Sequence, residues 1–177
     1  MDIGQLFLDE TAARFGAVKR LGEGALAQLQ EEDWHWAPSA ESNSAAVIVQ
    51  HLAGNLRSRW ATFPEGDGEG EGRDRDAEFE DAGLSKAPLL DLWEEGWSLV
   101  FAALARLSPA DLARATIIRS EELTVLHAIQ RQLAHASYHV GQLVFLAKLR
   151  RGEDWHTLSI ARGASQAFNE EMARSVR

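Results

Sequence analysis

Apolar residues recur along the chain at intervals of three and four, the period of helices that bury one face. Ile3, Leu6, Phe7, Ala13, Phe15, Val18, Leu21, Leu26 and Leu29 predict a long first helix over about 2–31. A bend is expected near Gly22-Glu23-Gly24, because glycine weakens a helix interior. Trp34-His35-Trp36-Ala37-Pro38 is a connector, since proline disfavours helix in the residue before it. A second helix should begin at Ser42-Asn43-Ser44, whose side chains suit a helix cap, and run to about Phe63. Leu89, Leu90, Leu92, Trp93, Trp97, Val100, Phe101, Leu104 and Leu107 predict a third, from Lys86 or Pro88 to Leu107. Ser108-Pro109 has the cap and first-position proline of a short helix, and residues 115–120 read as extended. A fourth long helix runs from about Leu123 to Arg151 and stops at Gly152. The tail, about 153–177, has room for one more short helix.

Four long helices with one chief core predict an all-α fold, a four-helix bundle with a short C-terminal extension. The whole of 1–177 reads as a single domain: a bundle over about 2–151, an acidic glycine-rich loop over about 64–83, and the tail. There is no βαβ alternation, which argues against Rossmann and TIM folds. Pro64 to Gly72 reads as a mobile, solvated loop. Asp67 to Glu78 loosely follows a calcium-loop spacing. Its third and fifth positions are Glu rather than Asp or Asn, and the flanking glycine and proline oppose the helix such a loop needs.

Composition narrows the chemistry. A chain of 177 residues buries roughly 70% of its unfolded surface and needs no staples. It has no cysteine, which excludes disulfides, thiolate zinc sites, iron–sulfur clusters and a cysteine nucleophile. Any metal must be held by nitrogen and oxygen. A net charge of −9 argues against nucleic-acid partners, because it repels phosphate. No stretch of about 20 apolar residues is present to span a membrane. Met1-Asp2-Ile3-Gly4 does not resemble a secretory signal, so a cytoplasmic protein is expected. The six tryptophans should mostly anchor the core.

The chemistry concentrates on the fourth helix. At about 100° per residue, His127, Tyr138, Arg131, Gln142, His135 and His139 fall in one sector of about 120°. Solvated faces are normally rich in Lys and Glu; here Arg131 is the sole formal charge between Leu123 and Ala147. Such a sector reads as the lining of a polar cavity. His135 and His139 stand one turn apart and can reach one ion. Position 136 is Ala, so the glutamate base of an HExxH site is missing. On the second helix His51 shares a face with Ser44, Asn55 and Arg59, a matching polar stripe. His127 lies about 12 Å along the axis from His135, too far to share an ion but able to line the pocket. His35 and His156 read as packing or surface residues.

These features together resemble the DinB/YfiT-like superfamily of metal-binding bundles. There one histidine comes from the second helix and an HxxxH pair from the last bundle helix, matching His51 and His135 with His139. The runs Glu41 to Trp60, Arg73 to Phe79, Ala128 to Gln142 and Thr157 to Asn169 look like one uncharacterised branch of it. The resemblance implies up-down-down-up topology, one divalent ion of nickel or zinc type, and frequent homodimers; iron, manganese and copper are the other compatible ions. Some relatives are thiol-dependent transferases or hydrolases.

Three protein ligands leave a coordination position open, as in catalytic rather than structural metal sites. The expected function is therefore a metal-dependent hydrolase or a transferase, thiol-dependent or not, acting on a small molecule. The alternative is a metal-binding or structural helical dimer without catalysis. Asn55, Arg59, His127, Arg131, Tyr138 and Gln142 are candidate supporting or substrate-binding groups. Either arginine suits an anionic substrate, because guanidinium pairs bidentately with carboxylate or phosphate. No carboxylate base sits on either histidine stripe, so any such base must come from a loop.

Overall fold

Asp2 starts the first helix. Its carboxylate accepts the backbone N–H groups of Gly4 and Gln5 at 2.7 and 3.2 Å, two of the donors a helix start leaves unpaired. The structure, a computed structural model, describes residues 2–66, 68–69 and 72–175. Helix α1 spans Ile3–Leu26, α2 Ala45–Trp60, α3 Lys86–Arg106, α4 Val125–Arg151 and α5 Ser165–Ser175. Strands β1 (Ala115–Ile118) and β2 (Glu121–Thr124) form an antiparallel hairpin with Ile118 opposite Glu121. The chain is mostly helical, and this hairpin is its departure from an all-α fold. The extended stretch expected over 115–120 is its first strand and turn.

Caps set the helix starts. Ser44 Oγ accepts the N–H of Val47 at 3.2 Å, and Thr124 Oγ1 accepts that of His127 at 3.1 Å. Thr124 both closes the hairpin and opens α4, so the strand fixes where the histidine-bearing helix begins. Gly152, with φ of 54°, ends that helix in a conformation glycine adopts freely.

The core is a single cluster drawn from α1 to α4 and their connections. Helix α2 packs along α3, α1 along α4, and α2 also meets α4. Trp34, Trp60, Trp93 and Trp97 are fully buried. Phe15 meets Trp60 and Trp97 edge-on, with ring centres 6.1 and 6.3 Å apart, a favoured aromatic geometry. Among the described residues no helix is long and apolar enough to cross a membrane.

Two expectations are corrected. The first helix ends at Leu26, not near 31, and helical structure continues through Gly22-Glu23-Gly24. Close packing requires glycine at two of these positions. A Cβ on Gly22 would lie 2.5 Å from the Trp93 ring, and one on Gly24 would lie 2.8 Å from Leu158. The tail, too, is partly docked. Gln28 bonds the backbone of His156 in both directions, at 3.0 and 2.8 Å, while Trp155 and Leu158 pack on the core.

The glycine reading has a direct check. Gly141, also in a helix, has nothing within 4 Å of a built Cβ. Alanine there should raise the melting temperature, since it favours helix by about 1 kcal/mol over glycine. Gly22→Ala should lower it, because overpacking of about 1–3 kcal/mol against the Trp93 ring outweighs the same gain. Equal shifts for both variants would refute the packing argument.

Candidate metal centre

The crossing of α2 and α4 brings three imidazoles together. His51 comes from the middle of α2; His135 and His139 come from adjacent turns of α4. One ligand atom from each lies within 4.8 Å of the others. His51 Nε2 and His135 Nε2 are 3.3 Å apart. His51 and His139 are buried, and His135 is half-buried.

The segment after the acidic loop orients the site. Glu78 accepts a hydrogen bond from His51 Nδ1 at 3.0 Å and a bidentate pair from Arg73 at 2.7 and 2.8 Å. Both partners of that ion pair are largely buried. Phe79 stacks on the His51 ring with centres 4.4 Å apart. Gln50 ties the segment to α2, bonding the carbonyl of Glu80 at 2.9 Å. Gly54, one turn beyond His51, makes room: a Cβ there would run into the Glu78 carboxylate. On α4, His139 Nδ1 donates to Gln142 Oε1 at 2.9 Å. Because both Nδ1 atoms carry the proton, His51 and His139 turn Nε2 lone pairs inward.

The cluster opens into a cavity of about 560 Å³. Asn55, Arg59, Arg131, Tyr138 and Gln142 are among the residues that line it. His127 is not; it is exposed in the first turn of α4 and outside the cavity lining. The polar sector of α4 is rotated so that its His139 edge is buried and its His127 edge faces solvent. Ser44 likewise serves α2 as its cap. Arg59 is buried and bonds the Gly68 carbonyl and Glu69. Arg131 pairs with Glu121 at 3.0 Å.

Several site residues were not singled out in the sequence. Gln132 is buried in the wall; the angular count places it about 20° beyond His139, so it could have been found. Glu78, Arg73, Arg75, Phe79 and Arg119 come from loops and turns, where no periodicity points at the site. The run from Arg73 to Phe79 was the one signal for the first four, and Arg119 had none. In the acidic loop, Asp67, Gly70 and Glu71 lie outside the described residues, and with them the first and fifth positions of the calcium-loop pattern. Its twelfth position, Glu78, is committed to Arg73 and His51. His35 pairs with Asp81 at 2.8 Å, away from the cluster.

Electrostatics keep His135 and His139 neutral. Burial first, then the neighbouring imidazoles and the charges of Arg59 and Arg73, push His135 down to about 3. Burial also leads at His139, with the Gln142 bond working against it and His51 with it, for a value of about 4. Burial opposes the Glu78 charge, but hydrogen bonds from Arg73 and His51 outweigh it and hold the carboxyl below its usual range.

The donors fit a divalent ion. Metal–nitrogen bonds of about 2.0–2.1 Å at tetrahedral angles put two ligand nitrogens about 3.3–3.4 Å apart; the His51–His135 separation is 3.3 Å, and all three ligand atoms lie within 4.8 Å of one another. His139 Nε2 is buried without a hydrogen-bond partner, a costly state unless something binds it. The carboxylate on His51 is the partner that metal-bound histidines usually have.

Residues 2–164 match the family described as a protein of unknown function (DUF1572), and the chain belongs to that family. No curated protein matches it.

The protonation pattern predicts how acid acts on the metal-free protein. Folded values of about 3 and 4 lie below the value of about 6.5 for an unfolded histidine. The unfolded chain therefore binds more protons between these limits, so stability is full above pH ~6.5 and falls as pH drops toward ~3. Melting curves of the chelator-treated protein from neutral to acid pH should show this. The variant His135→Gln/His139→Gln should decline less steeply; identical slopes would contradict the assignment.

Proposed function

From membership in a family without an assigned activity, and from this cluster, we propose that the chain is a DinB/YfiT-like metalloprotein. In this reading α1 to α4 form one up-down-down-up four-helix bundle, and His51, His135 and His139 hold one divalent ion of zinc or nickel type. The protein would act on a small molecule as a metal-dependent hydrolase or transferase, with a thiol among the candidate nucleophiles. The observation that carries this is the convergence of three imidazoles, two of them aimed by hydrogen bonds at Nδ1, at the wall of a ligand-sized cavity.

When bound, such an ion supplies Lewis acidity, polarising a substrate and acidifying a nucleophile. The chain's own residues do the rest. Glu78 and Gln142 fix the tautomers of two ligands. Phe79 and Ile118 give the cavity apolar wall. Partial burial raises the Tyr138 phenol above its ordinary value, against the pull of Arg75, so it is a proton donor at neutral pH. Glu78 is no free base, because its oxygens are bonded to Arg73 and His51. Among the described residues no Asp or Glu lines the cavity, which leaves proton removal to the ion's acidity or to the incoming nucleophile.

Elemental analysis after zinc or nickel loading tests the reading. The full chain should retain about one ion, as an open three-histidine site would. His135→Ala should lose it, together with any ester-hydrolysing, amide-hydrolysing or thiol-conjugating activity found in the loaded protein. Metal content unchanged by the substitution would sink the site.

A further inference from the structure

The cavity wall has one sign of charge. Among the described residues its charged side chains are Arg59, Arg75, Arg119 and Arg131, without an Asp or Glu, in a chain whose net charge is −9. A random patch of so acidic a surface would carry carboxylates. Among the described residues, two carboxylates pair with these arginines. Glu69 pairs with Arg59 at 3.3 Å and with Arg119 at 3.6 Å, and Glu121 pairs with Arg131 at 3.0 Å. Among the described residues Arg75 makes no ion pair; its guanidinium lies over the Phe79 ring, 5.7 Å from its centre.

The hairpin supplies a second, independent observation. Its two-residue tip is Arg119-Ser120, with φ of 53° and 61°. Both residues are left-handed, as in the turns that strongly favour Asn-Gly. A long side chain at such a position costs stability, and strain of this kind collects at ligand sites. Of these two strained residues, Arg119 lines the cavity. A third sign is Gln132: its Nε2 is buried in the wall without an acceptor.

We propose that this cavity takes a small anionic molecule, which presents a carboxylate or phosphate to Arg75, Arg119 and Arg131 while its reacting group faces the three histidines. The proposal rests on the metal reading for the reacting end alone; the arginine end stands without it. Guanidinium groups grip planar or tetrahedral oxyanions with paired hydrogen bonds. Arg75 and Arg119 come from the two irregular segments at the cavity mouth. They therefore select the ligand, whereas the helices hold the ion.

The test uses the full chain, metal-loaded and chelator-stripped, titrated calorimetrically with inorganic phosphate, with acetate, and with uncharged acetamide. Metal content is measured on the same samples. Phosphate, acetate or both should bind, with acetamide showing nothing, and the preferred anion names the group. Arg75→Gln/Arg119→Gln should weaken that binding by about tenfold or more, as expected for lost charge-assisted pairs. Both side chains are exposed, so the variant should fold, which circular dichroism checks. Arg119→Gly separates ligand binding from folding: glycine relieves the strained turn, so its melting temperature should not fall, while anion affinity should. Arginine-dependent anion binding in a chain that takes no metal would overturn the metal reading and uphold this one. Anion affinity that is undetectable, or unchanged in both variants, overturns this one whatever the metal content.

Discussion

The hydrogen bond from His51 Nδ1 to Glu78 is the constraint on which the site depends. It fixes the ring's tautomer and rotation, and so decides that Nε2 faces His135. Glu78 can hold a charge in a largely buried place because Arg73 grips both of its oxygens. That pair lies within the segment from 73 to 79; what ties the segment to the helix is the bond to His51, the Gln50 bond to the Glu80 carbonyl and the Phe79 stack. Gly54 gives the carboxylate room, and Phe79 covers the ring. A segment that the chain's composition marks as solvated loop thereby becomes part of the site's frame.

Rigid and irregular parts divide the work. The histidines stand on α2 and α4, whose neighbours are packed around four buried tryptophans. A metal site needs its ligands held closely, and helices do that better than loops. The mouth is made by the hairpin tip and the segment after the acidic loop, which carry Arg119, Arg75 and Phe79. Thr124 joins the two parts, since it ends β2 and caps α4. The place of the histidines is thus fixed by the core, while the rim is built from irregular segments.

The sequence carried the histidines because helical period is a local signal. HxxxH puts two imidazoles on one face, and the stripe of His51, Asn55 and Arg59 needs only the same angular count. It placed all four long helices, with ends a few residues off where caps and packing decided. It could not supply Glu78, Arg73, Arg75 or Arg119, because contacts between a loop and a distant helix leave no period. His127 failed for a different reason: angle alone does not say how a helix is rotated against its neighbours. The glycines of α1 were read through backbone propensity, while close contact with Trp93 and Leu158 governs them.

The central claim is that one ion is shared by His51, His135 and His139. X-ray absorption at the metal edge of the zinc- or nickel-loaded protein addresses it directly. The account predicts a first shell of nitrogen and oxygen, at about 2.0–2.1 Å for zinc, with the outer-shell scattering of three imidazole rings. A shell of oxygen donors with one imidazole or none would contradict it and place the ion elsewhere on this acidic chain.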